Sequence, residues 1–472
     1  MDKKDIFCDI VNCKCDKNFI NIKRIIMNSK EAEKDDLFVA IRGGNKFAGE
    51  ALEKGAYVVY DDKDIQIEEK FKEKAFYVND SVEFLQEFAE KWRKNLNLKV
   101  IGITGSNGKT TVKDMIYHLL SVKYKGKKTE GNYNNHIGLP FTLLRAEKGD
   151  DFIILEMGMS GFGEIDLLGK ISSPDISVIT NIGESHLEFL KTKKNVFKAK
   201  TEIIPHTKET LVINGDDEYL KDIDENSLKE KGLKTVKILN MGNDKNHMEN
   251  IKKSVKSNND FYYGDIDFNE VETKFTLEYF DENCKKWTHK FYNTNVLGEH
   301  NILNLTIAVS VAKEMALGDE EIEKAVKDIV LTNMRFQIIT KGKTTYINDA
   351  YNASPMSMKK SLETFSKIYN DREKIAVIGD MLELGEQEGE LHASIFDVIV
   401  NINLNKLYLY GPRMRFLYDR IRENSNSENI KKIETEYFES KEQIKEKLEG
   451  IKEEKVVLIK ASRGMKLEEV ME

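Results

Sequence analysis

The chain has 472 residues, and because domains usually hold about 100–200 residues, this length predicts two to four domains. Hydrophobic residues make up 40% of the chain and charged residues 33%, which is typical of folded domains with a charged surface. The formal net charge of −8 argues against broad binding to nucleic acid, since phosphate backbones are bound by basic surfaces.

The N-terminus and the hydropathy along the chain favour a cytoplasmic protein. The opening stretch, MDKKDIFCDIVNCKC, lacks the apolar run and small-residue cleavage site of a secretory signal. We expect no membrane insertion, because no stretch approaches the ~20 apolar residues that cross a bilayer. Cys13 and Cys15 have no second matching pair, so reduced thiols are favoured over a zinc site.

The first segment, residues 1–96, reads as a small α/β domain. DDLFVAIRGG and GAYVVYDD look like short strands beside turns. VEFLQEFAEKWRKNL carries apolar residues at helical spacing and predicts a helix that closes the segment.

The second segment, residues 97–317, alternates strands and helices. LKVIGI, DFIILEMG, DISVITNIG and LVINGDD are short and rich in Ile and Val, which predicts a mostly parallel sheet buried on both faces. VETKFTLEY and KWTHKFY, joined by DENC, predict an inserted β-hairpin. GEHNILNLTIAVSVAKEMALG predicts a long helix with Gly318 as its C-cap.

The third segment, residues 318–472, again alternates strands and helices. TTYINDAY, KIAVIGDM, KLYLYG and KVVLIKAS predict strands separated by helices, and each strand ends in a polar cluster. Ligands of open α/β sheets collect at such carboxyl ends, so this segment is predicted to be a Rossmann-like domain.

TGSNGKTT follows the strand LKVIGI and predicts a nucleotide-binding loop. Its glycines let backbone N–H groups approach phosphates, and Lys109 can neutralise them. Thr110 or Thr111 can bind Mg²⁺ through its hydroxyl. Position 103 is Ile, so the loop is a shortened variant of the usual phosphate-binding motif. The alternative is a strand-to-helix turn with an incidental lysine. The residues predicted to bind the nucleotide here are Gly105, Ser106, Asn107, Gly108, Lys109, Thr110 and Thr111.

A metal site is predicted from the ends of two strands. Glu156 ends DFIILEMG and could share Mg²⁺ with Thr110, since Mg²⁺ prefers oxygen ligands. His186 follows DISVITNIG, and Lys198 and Lys200 lie two apart in VFKAKTEII, so they face different ways on a helix. Taken alone, His186 reads as a structural histidine and Lys200 as a surface lysine.

The order of motifs along the chain resembles the Mur ligase family of amide-forming ligases. The resemblance covers about residues 98–465 and rests on TGSNGKTT, TEGNYNNHIGLP, EMGMSGFGEI, NIGESHLEFL, KAKTEII, NGDD, GEHNILN, NDAYNASPMSM and IGDMLELGE. It implies three domains: a UDP-substrate domain at 1–96, an ATP domain at 97–317 and a ligase domain at 318–472. NDAYNASPMSM points to the family members that use D-alanyl-D-alanine.

The resemblance implies an activity and its cofactors. The activity is the ATP-dependent joining of D-alanyl-D-alanine to UDP-N-acetylmuramoyl-tripeptide through an acyl phosphate, with Mg²⁺, in a protein we expect to be monomeric. Lys200, fourteen positions after His186, would be carbamylated by CO₂. The resemblance makes Lys109, Glu156, His186 and Lys200 catalytic and gives a metal site of Thr110, Glu156, His186 and Lys200. It also places Asn304 at the adenine and Arg335 and Asp349 at the phosphates and ribose.

The predicted substrate-binding residues match the family pattern less well in the first segment than elsewhere. Asn28-Ser29-Lys30 stands where the family has a D-S-R-like turn, and the following loop lacks the family's Asp and His. The predicted substrate contacts are Ser29, Lys30, Asn134, Asn135, Tyr351, Asn352 and Ser354. Ser354 and Pro355 can equally begin a helix. Ser185 replaces the family's usual alanine, and His392 matches a family histidine to which we assign no role.

Two alternatives remain open from the sequence. One is a related ligase acting on another carboxylate, such as a different muramoyl peptide or a folate. The other is a nucleotide-binding protein without ligase activity, which would require the loss of Lys109, Thr110, Glu156, His186 and Lys200. All five are present.

Overall fold

The computed structural model describes residues 2–12, 20–242, 257–281 and 284–472. Cys13 and Cys15, and the two middle residues of DENC, lie outside these ranges. Within them, no helix is both long and apolar enough to cross a membrane.

The strands follow the alternation that the sequence predicts. They are β1 (Ile25–Ile26), β2 (Leu37–Val39), β3 (Tyr57–Tyr60), β4 (Ala75–Tyr77), β5 (Lys99–Thr104), β6 (Gly126–Lys128), β7 (Phe152–Glu156), β8 (Ile176–Ile179), β9 (Thr210–Asn214), β10 (Lys234–Asn240), β11 (Phe261–Phe268), β12 (Thr273–Asp281), β13 (Lys286–Thr294), β14 (Gln337–Lys341), β15 (Thr344–Asn348), β16 (Glu373–Gly379), β17 (Lys406–Tyr410), β18 (Glu434–Phe438) and β19 (Lys455–Lys460).

The α-helices of the described residues lie between these strands or precede them. They are α1 (Lys3–Ile10), α2 (Ala48–Glu53), α3 (Ser81–Arg93), α4 (Lys109–Leu120), α5 (Gly138–Leu144), α6 (Glu164–Ser172), α7 (Leu187–Leu190), α8 (Lys193–Thr201), α9 (Glu225–Glu230), α10 (Glu299–Glu314), α11 (Asp319–Lys327), α12 (Pro355–Lys367), α13 (Glu388–Ala393), α14 (Phe396–Ile399), α15 (Met414–Glu423), α16 (Glu428–Lys431) and α17 (Lys441–Gly450).

The chain forms two compact units. The first comprises residues 1–104, 123–178 and 201–210, and the second comprises 105–122, 179–200 and 211–472. These units cut across the domain boundaries predicted after residues 96 and 317, which stay predictions. The phosphate loop and its helix α4 belong to the second unit.

The first unit contains a small parallel sheet and a group of parallel strands. The small sheet has the order β1-β2-β3-β4, and all of its pairs are parallel. In the other group β7 lies between β5 and β6, again in parallel. Helix α3 packs on this unit: the Trp92 indole donates to the carbonyl of Ala146 at 3.0 Å, and the Arg93 guanidinium pairs with Asp175 at 2.8 Å.

The second unit contains the predicted hairpin and a six-stranded sheet. Strands β12 and β13 pair antiparallel along their whole length, from Thr273 opposite Thr294 to Asp281 opposite Lys286. The six-stranded sheet has the order β14-β15-β19-β16-β17-β18 and is parallel except for the edge strand β14. Its carboxyl ends therefore meet at one edge, where Asp349, Asp380 and Lys460 follow or end neighbouring strands.

Alternating residues of this sheet bury both of its faces. On β16, Ala376 and Ile378 belong to one hydrophobic core, and Ile375 and Val377 belong to the other. Successive side chains of a strand point to opposite faces of the sheet, so alternate residues enter the two cores. This is expected for a sheet with helices on both sides. The α/β class and the Rossmann-like third segment predicted from the sequence are confirmed.

The end of the long helix α10 differs from the prediction. The helix stops at Glu314, and Ala316, with φ of 58°, takes the left-handed conformation in the turn. Gly318, predicted as the C-cap, has φ of −74° and precedes α11 as its N-cap. The prediction was wrong because Ala316, rather than a glycine, adopts the left-handed conformation after α10, and Gly318 is the N-cap of α11.

Candidate active site

The phosphate loop requires glycine at two positions. Gly105 and Gly108 have φ of 147° and 82°, values that side chains rarely adopt. A Cβ atom at Gly105 would lie 1.9 Å from Thr180 Oγ1, and one at Gly108 would lie 2.8 Å from Asn304 Oδ1. Helix α4 begins directly after Gly108, so its N-terminal amides follow the loop. This backbone is suited to phosphate oxygens.

Residues Thr180–Ser185, which we call the bracing segment, hold this loop by hydrogen bonds. The carbonyl of Asn107 accepts from Thr180 Oγ1 at 2.6 Å and from Asn181 Nδ2 at 3.1 Å. The Asn107 N–H donates to Asn181 Oδ1 at 2.9 Å. Because these bonds are made within the protein, they restrict the loop, which then loses little conformational entropy when an anion binds.

Ser106 and Ser185 add a second layer of bonds. The Ser106 hydroxyl accepts from the Gly183 N–H at 2.8 Å and donates to the Gly183 carbonyl at 3.2 Å. The Ser185 hydroxyl donates to Ser106 Oγ at 2.9 Å. Ser185 therefore adds one more link between the bracing segment and the phosphate loop.

Lys200 is a buried amine beside a second lysine. It is 1% exposed on α8, whereas Lys198 faces solvent, as the helical spacing predicted. Burial, helped by the positive charge of Lys109, lowers the pKa of Lys200 well below its usual value. Lys109 donates to the carbonyl of Gly105 at 2.8 Å. A neutral amine can attack CO₂, and the charge of Lys109 would then stabilise the resulting carbamate anion.

Arg335 reaches the phosphate loop from the third segment. Its Nη2 donates to Thr110 Oγ1 at 3.2 Å, and its guanidinium lies 4.1 Å from the ring centre of Tyr351. Its Nε is buried without a hydrogen-bond partner among the described residues. A guanidinium held on an aromatic ring with an unused buried N–H is suited to an incoming anion.

Asp349 anchors the chain beside Arg335. Its carboxylate accepts from Lys460 Nζ at 2.7 Å, from Ser361 Oγ at 2.5 Å and from the Phe336 N–H at 3.2 Å. Burial would raise the pKa of Asp349, but Lys460 and Ser361 outweigh it and the pKa is lowered. Asp349 stays a predicted nucleotide contact, and the structure gives it a positioning role next to Arg335.

A cavity of about 310 Å³ lies beside Arg335. Asn301, Leu331, Thr332 and Phe336 are among the residues that line it. Asn304 lies against Gly108 and donates to Asn301 Oδ1 at 3.3 Å, and its contact with adenine stays a prediction. Sequence reasoning missed Asn301, although GEHNILN offered both asparagines three positions apart.

In the first unit, Glu156 is buried at the end of β7, with 3% exposure. Asn134 Nδ2 donates to its Oε1 at 3.1 Å, so Asn134 orients this carboxylate. Asn135 Oδ1 accepts from the N–H groups of Ile137 and Gly138, which starts helix α5. Substrate binding by Asn134 and by Asn135 stays a prediction.

Ser29 and Lys30, the predicted pyrophosphate contacts, also lie in the first unit. The Ser29 hydroxyl is buried and donates to Glu50 Oε2 at 2.8 Å, while Lys30 is exposed. Lys54 Nζ donates to Glu50 and to the carbonyls of Ser29 and Lys30. Glu50 and Lys54 therefore hold the turn in place, and the Lys30 side chain presents its charge to solvent.

The loop after β15 is tied to the phosphate loop through Ser354. Its hydroxyl donates to Asn107 Oδ1 at 2.9 Å and accepts from the Ser357 N–H at 3.3 Å, so Ser354 also caps helix α12. The helix-start interpretation, with Pro355 as the first residue, is confirmed. Asn352 is exposed, and its carbonyl accepts from Lys460 at 3.2 Å.

His186 and His392 have distinct surroundings. His186 Nδ1 lies 2.9 Å from Glu383 Oε2, and this contact lowers the pKa of Glu383. His392 is fully buried and is bonded at both ring nitrogens by backbone groups of Met381 and Glu388. Its role is therefore structural. Glu383 is a neighbour of the site that sequence reasoning missed.

Of the four predicted metal ligands, only Glu156 and His186 are of the types His, Cys, Asp or Glu. Throughout the described ranges, no three His, Cys, Asp or Glu side chains group together in a way that could hold a metal ion. Mg²⁺ commonly takes one or two protein oxygens together with substrate phosphates and water, which suits a site centred on a nucleotide. A carbamate on Lys200 would add the oxygen that the neutral amine lacks.

Comparison with known proteins identifies the family. The Mur ligase middle domain matches residues 103–312, and the Mur ligase, glutamate ligase domain matches residues 334–463. The UDP-N-acetylmuramoyl-tripeptide–D-alanyl-D-alanine ligase of Bacillus subtilis is 33% identical over 457 residues, which is 95% of this chain and 92% of that protein. The chain belongs to the Mur ligase family.

Solved structures agree with this assignment and narrow it. MurF ligase from Thermotoga maritima in complex with ADP has a TM-score of 0.77 and 29% identity, covering 95% of this chain and 96% of that one. MurF from Acinetobacter baumannii has a TM-score of 0.78 and 25% identity, covering 95% and 92%. Within the family, the chain is thus similar over nearly its whole length to MurF proteins.

The buried amine of Lys200 leads to a first prediction. Lys200→Ala removes the proposed carbamate and should lower turnover by roughly 100-fold or more, by analogy with the loss of a metal-ligand contact. Lys198→Ala, the matched change on the exposed face of α8, should leave turnover within about twofold. Steady-state phosphate release measures both, and a ¹³C signal from ¹³CO₂-treated protein should disappear only in Lys200→Ala. Equal effects of the two substitutions would contradict the role of Lys200.

His300 leads to a prediction about pH. Burial lowers the pKa of His300 to about 4, below the usual value of 6.5. The unfolded chain therefore binds a proton more readily, so stability is complete above pH ~6.5 and falls towards pH 4. At pH 5 the loss should be about 2 kcal/mol, because pH 5 lies about 1.5 units below the pKa of the unfolded histidine. Urea unfolding of the protein and of His300→Gln at pH 7 and pH 5 should give a smaller pH difference in the variant. Equal pH differences would show that His300 is not responsible.

Proposed function

We propose that this protein joins the terminal carboxyl group of UDP-N-acetylmuramoyl-tripeptide to the amine of D-alanyl-D-alanine, converting ATP to ADP and phosphate. The relatives that carry this activity in their names match the chain over nearly its whole length. The residues required for the reaction by the resemblance are all present. The proposal includes a cytoplasmic location and a monomeric state.

The observation that carries the proposal is the position of Arg335. It lies in the ligase-domain match yet donates to Thr110 of the phosphate loop, in the middle-domain match. Its buried Nε has no partner in the described part of the chain. A phosphate held by the loop would supply the missing acceptor, and the charge of Arg335 would stabilise negative charge that develops during phosphoryl transfer.

Two parts of the structure would bind the nucleotide: the cavity beside Arg335 and the phosphate loop. The cavity lined by Asn301 and Thr332 is of a size suited to a nucleoside. The preformed loop Gly105–Gly108 would receive the phosphates, with Lys109 neutralising them. Thr332 also donates to Asp114 on α4, which links the cavity wall to the helix that follows the phosphate loop.

The reaction needs an activated carboxyl group. A carboxylate oxygen of the tripeptide attacks the γ-phosphorus, the bond to the bridging oxygen breaks, and ADP leaves. The amine of D-alanyl-D-alanine then attacks the acyl carbon, an amide bond forms, and phosphate and a proton are released. Arg335 and Lys109 stabilise charge in the first step, and the loop Tyr351–Ser354 would exclude water around the second.

Thr110, Glu156, His186 and carbamylated Lys200 would hold Mg²⁺, which supplies positive charge to the phosphates when bound. Asn134 keeps the Glu156 carboxylate oriented for this role. The buried environment of Lys200, with Lys109 close by, favours the neutral amine that CO₂ modification requires.

A specific observation keeps a second candidate open. The Ser29 hydroxyl, expected at the pyrophosphate, donates to Glu50, so its hydrogen is already engaged within the first unit. A Mur-type ligase acting on a different carboxylate, another muramoyl peptide or a folate, would fit such a first domain. NDAYNASPMSM favours the D-alanyl-D-alanine reaction.

Phosphate release from ATP with each substrate omitted in turn tests the proposed activity. We expect release only when UDP-N-acetylmuramoyl-tripeptide and D-alanyl-D-alanine are both present, because the acyl phosphate needs the first and its consumption the second. Release that requires another carboxylate would support the second candidate. A protein that hydrolyses no ATP with any of these acceptors would not be a ligase of this kind.

Arg335→Ala should lower turnover by roughly 1,000-fold, the scale on which an arginine at a transferring phosphoryl group acts. Arg372→Ala is the matched control, since Arg372 also stacks on a tyrosine, Tyr369, at 5.2 Å, but contacts Thr345 of the sheet. Its turnover should stay within about threefold of the unmodified protein. Comparable losses in both variants would indicate a structural role for Arg335 instead.

A further inference from the structure

We propose that Glu383 is a positioning residue, whose carboxylate holds the His186 imidazole so that the ring turns its Nε2 towards the metal that accompanies ATP. This inference rests on the proposed function, in which His186 is a metal ligand. Glu383 itself would not touch the metal or the substrates.

The contact is close, and the Glu383 side chain is largely exposed to solvent. Nδ1 of His186 lies 2.9 Å from Oε2 of Glu383, and the Glu383 side chain is 58% exposed. Nδ1 is buried and has no other hydrogen-bond partner among the described residues. Exposed pairs add little to stability, so the consequence of this one is orientation.

Both partners sit on unusual backbone. His186 has φ of 54° and Glu383 has φ of 64°, the left-handed region that residues with side chains seldom adopt. Such conformations persist only where surrounding contacts impose them, and they concentrate at functional sites. Here they aim two side chains at each other from segments almost two hundred positions apart.

The two segments also touch through their backbones. The Glu188 N–H donates to the Glu383 carbonyl at 3.4 Å. Gly385 has φ of 63°, and a Cβ atom there would lie 2.9 Å from the Cα of Glu188. The loop after β16 therefore approaches the start of α7 more closely than a side chain at position 385 would permit.

This loop is fixed in turn by buried polar groups. The Met381 N–H donates to Nε2 of His392 at 2.9 Å, which assigns the proton to Nδ1, and Nδ1 donates to the Glu388 carbonyl at 2.6 Å. On the other side, the Leu382 N–H donates to Ser462 Oγ at 2.9 Å. Glu383 thus projects from a loop whose preceding residues are held at two consecutive amides.

A carboxylate behind a metal-bound histidine has a known physical effect. It accepts the Nδ1 proton, fixes the tautomer that leaves Nε2 for the metal, and makes the ring a better ligand; its loss usually costs roughly 10–100-fold in metal affinity or activity. The ligase-domain loop would in this way complete a metal site whose histidine comes from the middle domain.

Mn²⁺ binding tests the inference. With Mn²⁺ as the probe and a non-hydrolysable ATP analogue present, electron paramagnetic resonance should show at least tenfold weaker metal binding in Glu383→Ala than in the unmodified protein. Glu383→Gln, whose carbonyl can still accept the Nδ1 proton, should fall between them. Glu386→Ala, an exposed glutamate three positions on, should bind Mn²⁺ normally. Equal affinities in Glu383→Ala and Glu386→Ala would overturn the inference.

Two further measurements separate its failure from that of the proposed function. If His186→Ala leaves Mn²⁺ binding unchanged, His186 is not a ligand and both proposals about it fall; if it weakens binding while Glu383→Ala does not, only the role of Glu383 falls. Nitrogen-15 spectra of the histidine rings in metal-free protein should show the Nδ1–H form of His186, lost in Glu383→Ala and retained in Glu386→Ala. An unchanged tautomer in Glu383→Ala would also contradict the inference.

Discussion

The hydrogen bonds between the bracing segment and the phosphate loop are the constraint on which the rest of the site depends. They fix a loop whose two glycines adopt positive φ and whose carbonyl at Asn107 accepts from Thr180 and Asn181. The loop has no room for a side chain at Gly105 or Gly108, so only glycine fits at these two positions. Lys109, Thr110 and helix α4 take their positions from it.

Charge at the site is arranged by burial as much as by pairing. Lys200 has almost no exposed surface, and the nearby charge of Lys109 disfavours a second ammonium there. The positive charge of Lys109 suits an anion, whether a bound phosphate or a carbamate on Lys200. Asp349 shows the opposite balance, since Lys460 keeps a buried carboxylate ionised.

The third segment contributes by placing the ends of parallel strands at one edge. From that edge Asp349 fixes Phe336 beside Arg335, Ser354 bonds to Asn107, and Glu383 faces His186. These contacts come from two loops, one after β15 and one after β16. Ser354 reaches the phosphate loop, and Glu383 reaches His186, which directly follows the bracing segment. The sheet topology is therefore what turns scattered polar residues into one site.

The sequence by itself determined the α/β class, most strands, the inserted hairpin, the phosphate loop and the family, because periodicity and motif spacing are local properties of the chain. It determined that Lys198 and Lys200 face different ways, but not which of them is buried. The tertiary structure decided that Lys200 is the buried one, that Asn301 lines the cavity while Asn304 supports Gly108, and that Glu383 meets His186. It also showed that Gly318 precedes the helix α11 rather than ending the helix α10. Contacts between residues far apart in the chain depend on strand order and on the direction of each loop, which local spacing does not encode.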